Sequence, residues 1–477
     1  MALRFYNTLT QELEVFHPLQ DNTVRMYTCG PTVYNFVHIG NFRTFTFQDI
    51  LRRWLRYRGY RLNHVMNVTD VDDKIIASAA REQKSIEDYT AVFTRAFFED
   101  AAALRLEQPE HVAPATKHID VMVNAIERLS EKGCTYTSDG STYFRISTFQ
   151  DYGKLSHNDF SGIRSGARVD IDEYDKADAR DFVLWKARKD SEPAWKTPFG
   201  DGRPGWHIEC SAMAMSYLGE TLDIHAGGVD LIFPHHENEI AQSEAITGKA
   251  FSRFWLHAEH LHIESQKMSK SLGNFYTLRD LLEAGYQPEA IRYLLASVPY
   301  RKKLNFTFEG LKAAAKSIER LREFELRLTS TKLAPGASEE ISEASREAIR
   351  KFEEGMDDDL NTAEALAAIF EYVRAMNSAI DEGGFQEENR WDAARVLEVF
   401  DCVFDVLKAT EGNGGIAGRS DGGTPLISEA EIEAAIEERA QAKRMRDYAR
   451  ADQIRLRLQE QGVILEDTKD GVRWKRK

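Results

Sequence analysis

Along the chain the apolar positions first repeat with a strand-like spacing, then with a helical one. The stretch "VRMYTC" from Val24 predicts a strand, and in "NFRTFTFQDILRRWLRYRGY" the apolar Phe45, Ile50, Trp54 and Leu55 share one side of a helix that Gly59 closes. Next, "RLNHVMNVTD" alternates imperfectly through Leu62, Val65 and Val68 and predicts a second strand. Strand, helix, strand is a βαβ unit, which implies a parallel sheet with ligands collecting beyond the carboxyl ends of its strands. Cys29 and the pair Thr69–Asp70 fall at such ends. Residues 75 to 130 read as helical, and "TYTSDGSTYFRIS" reads as a hairpin turning at Asp139-Gly140. The polar stretch 148 to 205 reads as an irregular insertion, after which "TLDIHAGGVD" and "RFWLHAEHLHI" restore the βα pattern. From about Phe308 to Leu407 the period is helical throughout, and Asn361 and Glu364 stand at capping-box spacing ahead of Leu366, Ile369, Phe370 and Val373.

Length changes this picture to several domains, since 477 residues is about three times a rough 150-residue domain. The run "EGNGGIAGRSDGGTP", with six glycines, reads as a flexible linker. Charge then sets the C-terminal segment apart. The chain carries −15, yet residues 439 to 477 hold twelve Lys or Arg against six Asp or Glu, a net of +6, which leaves −21 on the other 438 residues. A basic end reopens the question of a nucleic-acid partner that the total charge argues against. No apolar run suits a signal peptide or a membrane span, so a cytoplasmic protein with no membrane partner is expected. Four cysteines, Cys29, Cys134, Cys210 and Cys402, are too few for a disulfide framework. Cys134 and Cys402 have no candidate partners nearby in sequence and read as structural.

Three short strings carry candidate chemistry. In "CGPTVYNFVHIGN" the run His38-Ile39-Gly40-Asn41 opens a helix, where free backbone N–H groups favour an anion and Gly40 admits a ligand close to the backbone. In "KMSKS", Lys267 and Lys270 sit in a Ser-rich loop closed by Gly273, a setting suited to stabilising charge on phosphate oxygens. A solvated surface loop has the same composition. The third string is a scattered set: Cys29, Cys210 in "GWHIECSAM", and "FPHHENE", where His235 and Glu239 are i and i+4 on a helix that Pro234 begins. Two thiols, an imidazole and a carboxylate make a plausible zinc set, with His236 the competing ligand about 100° further round the helix. Separate buried thiols would look the same from spacing alone.

The HIGN and KMSKS strings, in this order around a split βαβ fold, resemble the HIGH-type and KMSKS-type motifs of the class I aminoacyl-tRNA synthetases. Asn41 replaces the second histidine of that pattern, and an amide still donates a hydrogen bond. With the Cys/His/Glu set the resemblance narrows to the cysteine-specific family of that class and runs from "YNTLT" to the "LEDTKDG" tail. It implies an α/β fold: a Rossmann-type parallel-sheet catalytic domain split by an insertion, then an all-α bundle and a small basic C-terminal domain. The expected divisions are 1–120 and 206–306 for the two catalytic halves, 121–205 for the insertion, 307–410 for the bundle, 411–425 for the linker and 426–477 for the anticodon-binding end. The resemblance further implies one zinc ion on Cys29, Cys210, His235 and Glu239, and Mg²⁺ with ATP. Gly30, Thr69, Trp206, His225 and Asp230 are expected around the amino acid, and His38, Gly40, Asn41, Lys267 and Lys270 around the nucleotide. The implied partners are ATP, L-cysteine and tRNA(Cys), the last met by the bundle and by tail residues such as Arg444, Arg446 and Trp474, in a monomer. Zinc suits the task because an apolar pocket separates near-isosteres weakly, whereas a soft thiolate binds zinc far better than an alcohol does. A ligase joining cysteine to an aminosugar-inositol would share both ATP motifs and the zinc set, but needs no basic anticodon module.

Overall fold

The computed structural model describes residues 2–158, 181–189, 192–268 and 273–408, and beyond them 435–436, 438–442, 447–460, 463–468 and 471–476. Two compact units divide between Ala409 and Thr410. The first opens with a small antiparallel pair, β1 (Arg4–Asn7) and β2 (Glu12–Val15). The βαβ unit comes next as β3 (Thr23–Thr28), α1 (Ile39–Tyr57) and β4 (Arg61–Val68), with Gly59 at φ +85° just past the helix end. Phe45, Ile50, Trp54 and Leu55 are all buried, as their shared side of α1 requires.

Residues 75 to 130 are less uniform than their sequence suggests. They form α2 (Asp73–Arg81), α3 (Ile86–Ala103), a strand β5 (His111–Pro114) and α4 (Ile119–Glu131). The four residues of β5 escape a periodicity reading because they are few and end in proline, which suits the edge strand that β5 is. The hairpin forms as β6 (Thr135–Ser138) and β7 (Ser141–Phe144), with positive φ at Asp139 and Gly140. The stretch 148 to 205 is not wholly irregular: β8 (Phe182–Ala187) and β9 (Gly202–Pro204) extend that hairpin into a four-stranded antiparallel sheet. "FVLWKA" is apolar enough for a buried strand, but its Asp- and Lys-rich flanks hide it.

The chain then returns through α5 (Trp206–Leu218), β10 (Leu222–Gly228), α6 (Glu237–Thr247) and β11 (Ser252–Ala258). A five-stranded parallel sheet results, in the order β11-β10-β3-β4-β5. From β3 the connections run outward to β4 and β5 on one side, and to β10 and β11 on the other. Strand order therefore reverses between β3 and β10, and a crevice opens beyond their carboxyl ends. One apolar core lies on the α1 side of the sheet and continues into the helical region, while a second lies on the α4, α5 and α6 side. The apolar run "RFWLHAEHLHI" divides: β12 (Leu261–Ile263) leaves the parallel sheet to pair with β13 (Gln266–Lys267) and with β14 (Leu304–Phe306). Between β13 and β14 lie α7 (Leu278–Glu283) and α8 (Pro288–Ala296).

Four helices complete this unit, α9 (Phe308–Ser330), α10 (Glu339–Asp357), α11 (Thr362–Asp381) and α12 (Asn389–Phe404). Asn361 caps α11 by accepting the Glu364 N–H. The second unit holds α13 (Tyr448–Glu460) and a hairpin of β15 (Val463–Thr468) and β16 (Gly471–Arg476). Arg444 and Arg446 lie outside the described residues, as do residues 409–434, which contain the glycine run. Among the described residues no helix is long and apolar enough to cross a membrane.

Candidate active site

The crevice beyond β3 and β10 is an open cleft of about 290 Å³, near the lower end of the range for small-molecule sites. Cys29, Gly30, His38, Asn41, Thr69, Trp206, Cys210, Asp230 and His235 all line it. They arrive from five places: the end of β3, the start of α1, the end of β4, the first turns of α5, and the segment after β10 that carries Asp230 and His235. Trp206 and Cys210 are i and i+4 on α5 and so share its cleft-facing side. Trp206 stacks on the His235 ring at 4.2 Å between centroids and stays 42% exposed, so it is not the core aromatic that composition alone would make it.

One ligand atom each from Cys29, Cys210, His235 and Glu239 lie within 4.8 Å of one another, all buried. His235 Nε2 is 3.1 Å from Glu239 Oε1, and Cys29 Sγ is 3.9 Å from the same oxygen. Donors about 2.0 to 2.3 Å from a tetrahedral zinc stand roughly 3.3 to 3.8 Å apart, so these spacings and this donor chemistry fit that ion. A second group, Cys29, His225, His236 and Glu239, satisfies the same distance limit. It has one thiol instead of two, and His225 and His236 are fully buried beneath the cleft. The first group is the softer donor set and three of its members face the cleft.

Helical reasoning separates His235 from His236 by about 100°, and here it fails. Residues Ile232–His236 form a wide turn in which Phe233 is extended, at φ −135° and ψ 133°, and Pro234 does not begin α6. Both imidazoles are thereby brought toward Glu239, His236 Nε2 at 3.9 Å from Oε1 and 3.3 Å from Cys29 Sγ. His225 lies behind the carboxylate, its Nε2 2.8 Å from Glu239 Oε2, and does not line the cleft. His236 continues to His257 at 2.8 Å, and His235 to His207 at 2.9 Å. The adjacent pair in "FPHHENE" was the visible signal of this layer; His207 and His257 had none.

Charge in the cluster is polarised. Burial pushes the Cys210 thiol up, but the Cys29 hydrogen bond and the His235 charge bring it down to about 6, whereas burial and its Cys210 neighbour hold Cys29 well above the ordinary thiol value. Burial works against ionised Glu239, yet His225 and His235 lower it to about 2. Burial likewise opposes a charged His235, and Cys210 and Glu239 raise it to about 10. Cys210 and Glu239 are thereby drawn towards their ionised, ligating forms, and a cation bound between them would take the place of the His235 proton.

On the nucleotide side, His38 is the N-cap of α1 and its Nδ1 accepts the Asn41 N–H at 3.2 Å. A Cβ on Gly40 would stand 3.0 Å from His38 Nδ1 and 3.2 Å from Met268 Cε, so the HIGN and KMSKS strings meet at this glycine. The Ile39 N–H donates to the Tyr276 carbonyl at 2.9 Å and reinforces that contact. Lys267 differs from the loop residue expected, for its backbone ends β13 opposite His262. Lys270 lies outside the described residues. Two unforeseen residues support the cleft floor. The Gly30 N–H donates to Asn67 Oδ1 at 2.8 Å, Asn67 Nδ2 donates to Thr69 Oγ1 at 3.1 Å, and Thr69 donates to Glu209 at 3.0 Å. A Cβ on Gly30 would lie 1.8 Å from the Asn67 carbonyl oxygen, so no other residue fits there. Of the remaining cysteines Cys134 is buried and Cys402 is exposed on α12.

A parallel sheet with a crevice at its switch point and HIGN opening the first helix define a class I aminoacyl-tRNA synthetase core. Residues 15–316 match the family described as tRNA synthetases class I (C) catalytic domain, and residues 351–409 match the DALR domain. The chain is 64% identical to a cysteine--tRNA ligase of Solibacter usitatus and 53% identical to one of Koribacter versatilis, each over the full length of both proteins. It belongs to the cysteine--tRNA ligase family of class I synthetases. The fold extends to distant structures: a Mycobacterium tuberculosis methionyl-tRNA synthetase bound by methionyl-adenylate superposes with a TM-score of 0.62 at 17% identity, covering 80% of this chain and 90% of that one.

Proposed function

We propose that the protein activates L-cysteine with ATP and transfers it to the 3′ end of tRNA(Cys), with zinc held by Cys29, Cys210, His235 and Glu239 and Mg²⁺ accompanying the nucleotide. The observation carrying this reading is the convergence of those four donors on a point that opens into the same cleft as His38 and Asn41. Zinc at that point supplies a soft Lewis-acid position that prefers a thiolate to an alcohol, which separates cysteine from serine without an editing domain.

The rest is positioning. Gly30, Thr69, Trp206 and Asp230 surround the amino acid, while His225 orients Glu239 from behind. His38, Gly40 and Asn41 meet the phosphates at the start of α1, and Lys267 and Lys270 supply cationic charge to them. The cysteine carboxylate attacks the α-phosphorus of ATP and expels pyrophosphate. A terminal ribose hydroxyl of the tRNA then attacks the carbonyl carbon of the mixed anhydride and expels AMP. Neither step needs a protein nucleophile, so catalysis rests on orientation and electrostatics. The enzyme acts as a monomer in the cytoplasm, where tRNA is charged at the expense of ATP. The expected divisions at 1–120, 121–205, 206–306, 307–410, 411–425 and 426–477 assign activation to the split core and tRNA recognition to the bundle and basic end.

Cysteine-dependent ATP–pyrophosphate exchange, followed by transfer of labelled cysteine to tRNA(Cys), tests the reading. Exchange with transfer to an aminosugar instead of tRNA would overturn it. So would serine supporting exchange as well as cysteine.

A further inference from the structure

A second groove, of about 490 Å³, runs on from the cleft, and Tyr34, Asn35 and Lys74 line both. Its outer wall is α2, where Lys74, Ser78 and Arg81 are i, i+4 and i+7 and hence form one stripe. The facing wall is aromatic. Tyr34 lies under the Lys74 ammonium at 5.2 Å, and Phe93 packs against Phe36, itself 38% exposed, at 5.4 Å. The loop carrying Tyr34 is pinned from α3, since the Tyr89 hydroxyl donates to the Tyr34 carbonyl at 2.8 Å. The start of α2 is pinned from the insertion sheet, where Lys186 pairs with Asp73 at 2.8 Å and Arg203 adds a second ion pair. Both walls are thus held before any ligand arrives.

The charge of the groove opposes that of the chain. Glu82 at its edge is matched by Lys84 at 2.9 Å, and Arg279 beyond Phe36 by Glu99 and Asp100. Among the described residues Lys74 and Arg81 form no ion pair, so the groove is cationic on a protein of net charge −15.

We propose that this groove holds the unpaired 3′ end of the tRNA as it enters the cleft, with Lys74 and Arg81 on phosphates and the Tyr34 and Phe93 rings against bases. Two cations beside half-buried aromatic rings suit single-stranded nucleic acid, phosphate contacts setting its path and ring faces accepting any base. Continuity selects the 3′ end over other nucleic acid, because a strand whose terminal ribose reacts in the cleft must leave through an adjoining channel.

The proposal rests on the tRNA-charging reading, and the test separates the two. Affinity is measured for intact tRNA(Cys) and for the same tRNA trimmed of its unpaired 3′ nucleotides, against the wild-type chain, Arg81→Glu and Arg81→Lys. Arg81 is exposed in the last turn of α2, so its replacement does not threaten folding. Arg81→Glu is expected to weaken intact tRNA by about fivefold or more and to lower the salt dependence of log K by roughly 0.7, one phosphate contact, with the trimmed tRNA unaffected and Arg81→Lys restoring affinity. An equal loss for both tRNAs, or none for either, overturns the groove. Absence of cysteine-dependent exchange by the wild-type chain overturns the function instead, while the binding comparison still reports on the groove.

Discussion

The middle of α1 is tied to the rest of the first unit by a buried ion pair, and Asp49→Asn tests what that pair does. Asp49 Oδ2 meets Arg292 Nη2 of α8 at 2.5 Å, with side chains only 2% and 1% exposed. Arg53 Nε and the Glu107 N–H complete the carboxylate's partners at 2.9 and 2.7 Å, and Arg292 also donates to the Phe404 carbonyl at the end of α12. Burial alone would raise the Asp49 carboxyl, but Arg292 and Arg53 outweigh it and hold the group below its usual value. A depressed carboxyl contributes stability above its unfolded pKa and loses it as pH falls through the folded one, so the pair is fully in force at pH 7. Asn leaves the Arg292 guanidinium buried without a counterion, which costs about 3 to 5 kcal/mol. For a unit of 409 residues, at roughly 1.2 °C per kcal/mol, the first melting transition should fall by roughly 4 to 6 °C. Scanning calorimetry of the wild-type chain, Asp49→Asn and the double variant Asp49→Leu/Arg292→Met checks this. The double variant should recover most of the loss, because it removes the orphaned charge with its partner. A change below about 2 °C in Asp49→Asn, or a double variant no more stable than Asp49→Asn, would refute the reasoning.

Three further outcomes are expected. Cys210→Ala and His235→Ala should each lose bound zinc, read by elemental analysis, together with exchange activity, whereas Trp206→Ala should keep the metal and raise KM for cysteine; metal retained in His235→Ala would contradict the assigned set. Gly30→Ala must displace the Asn67 carbonyl or the β3 end by more than an ångström, from a Cβ contact of 1.8 Å, and exchange measured below its melting temperature should drop about 100-fold. His64 is buried neutral, accepting from Arg52 Nη1 at 2.8 Å and donating through Nε2 to Thr28 Oγ1 at 2.8 Å, and burial together with the Arg52 charge holds it well below its usual value. Below about pH 6.5 the unfolded chain binds a proton at His64 that the folded chain refuses, which contributes up to about 1.4 kcal/mol of stability loss per pH unit; in denaturant melts His64→Gln should show a slope shallower than wild type by about that amount, and equal slopes would contradict the assignment.

Much of the frame was legible along the chain. The βαβ start, the hairpin at Asp139-Gly140, the resumed strands and the helical run past Phe308 arise from local apolar spacing and turn chemistry, which act over a few residues. The elements that escaped were short or locally contradictory. β5 is four residues ending in proline, β8 lies between charged flanks, and β12 looks like a continuation of β11 until its partners show that it has left the sheet. At the site, the HIGN and KMSKS strings announced themselves by composition, but Asn67 and Glu209 are ordinary residues whose importance comes from where Gly30 and Thr69 happen to stand.

By itself, then, the sequence determined which elements form, where the chain reverses and which residue types carry chemistry, because propensity, capping and amphipathic spacing are local quantities. Only the tertiary structure decided which of those residues meet. Cys29 and Cys210 come from strand and helix ends 181 positions apart, joined by the order of strands in the parallel sheet. The choice between His235 and His236 could not be made from a helical wheel, since the backbone at Ile232–His236 is not α-helical and turns both rings toward Glu239. Burial then set the charges, for the same thiol side chain is pushed up at Cys29 and brought down at Cys210 by neighbours that no sequence interval reveals.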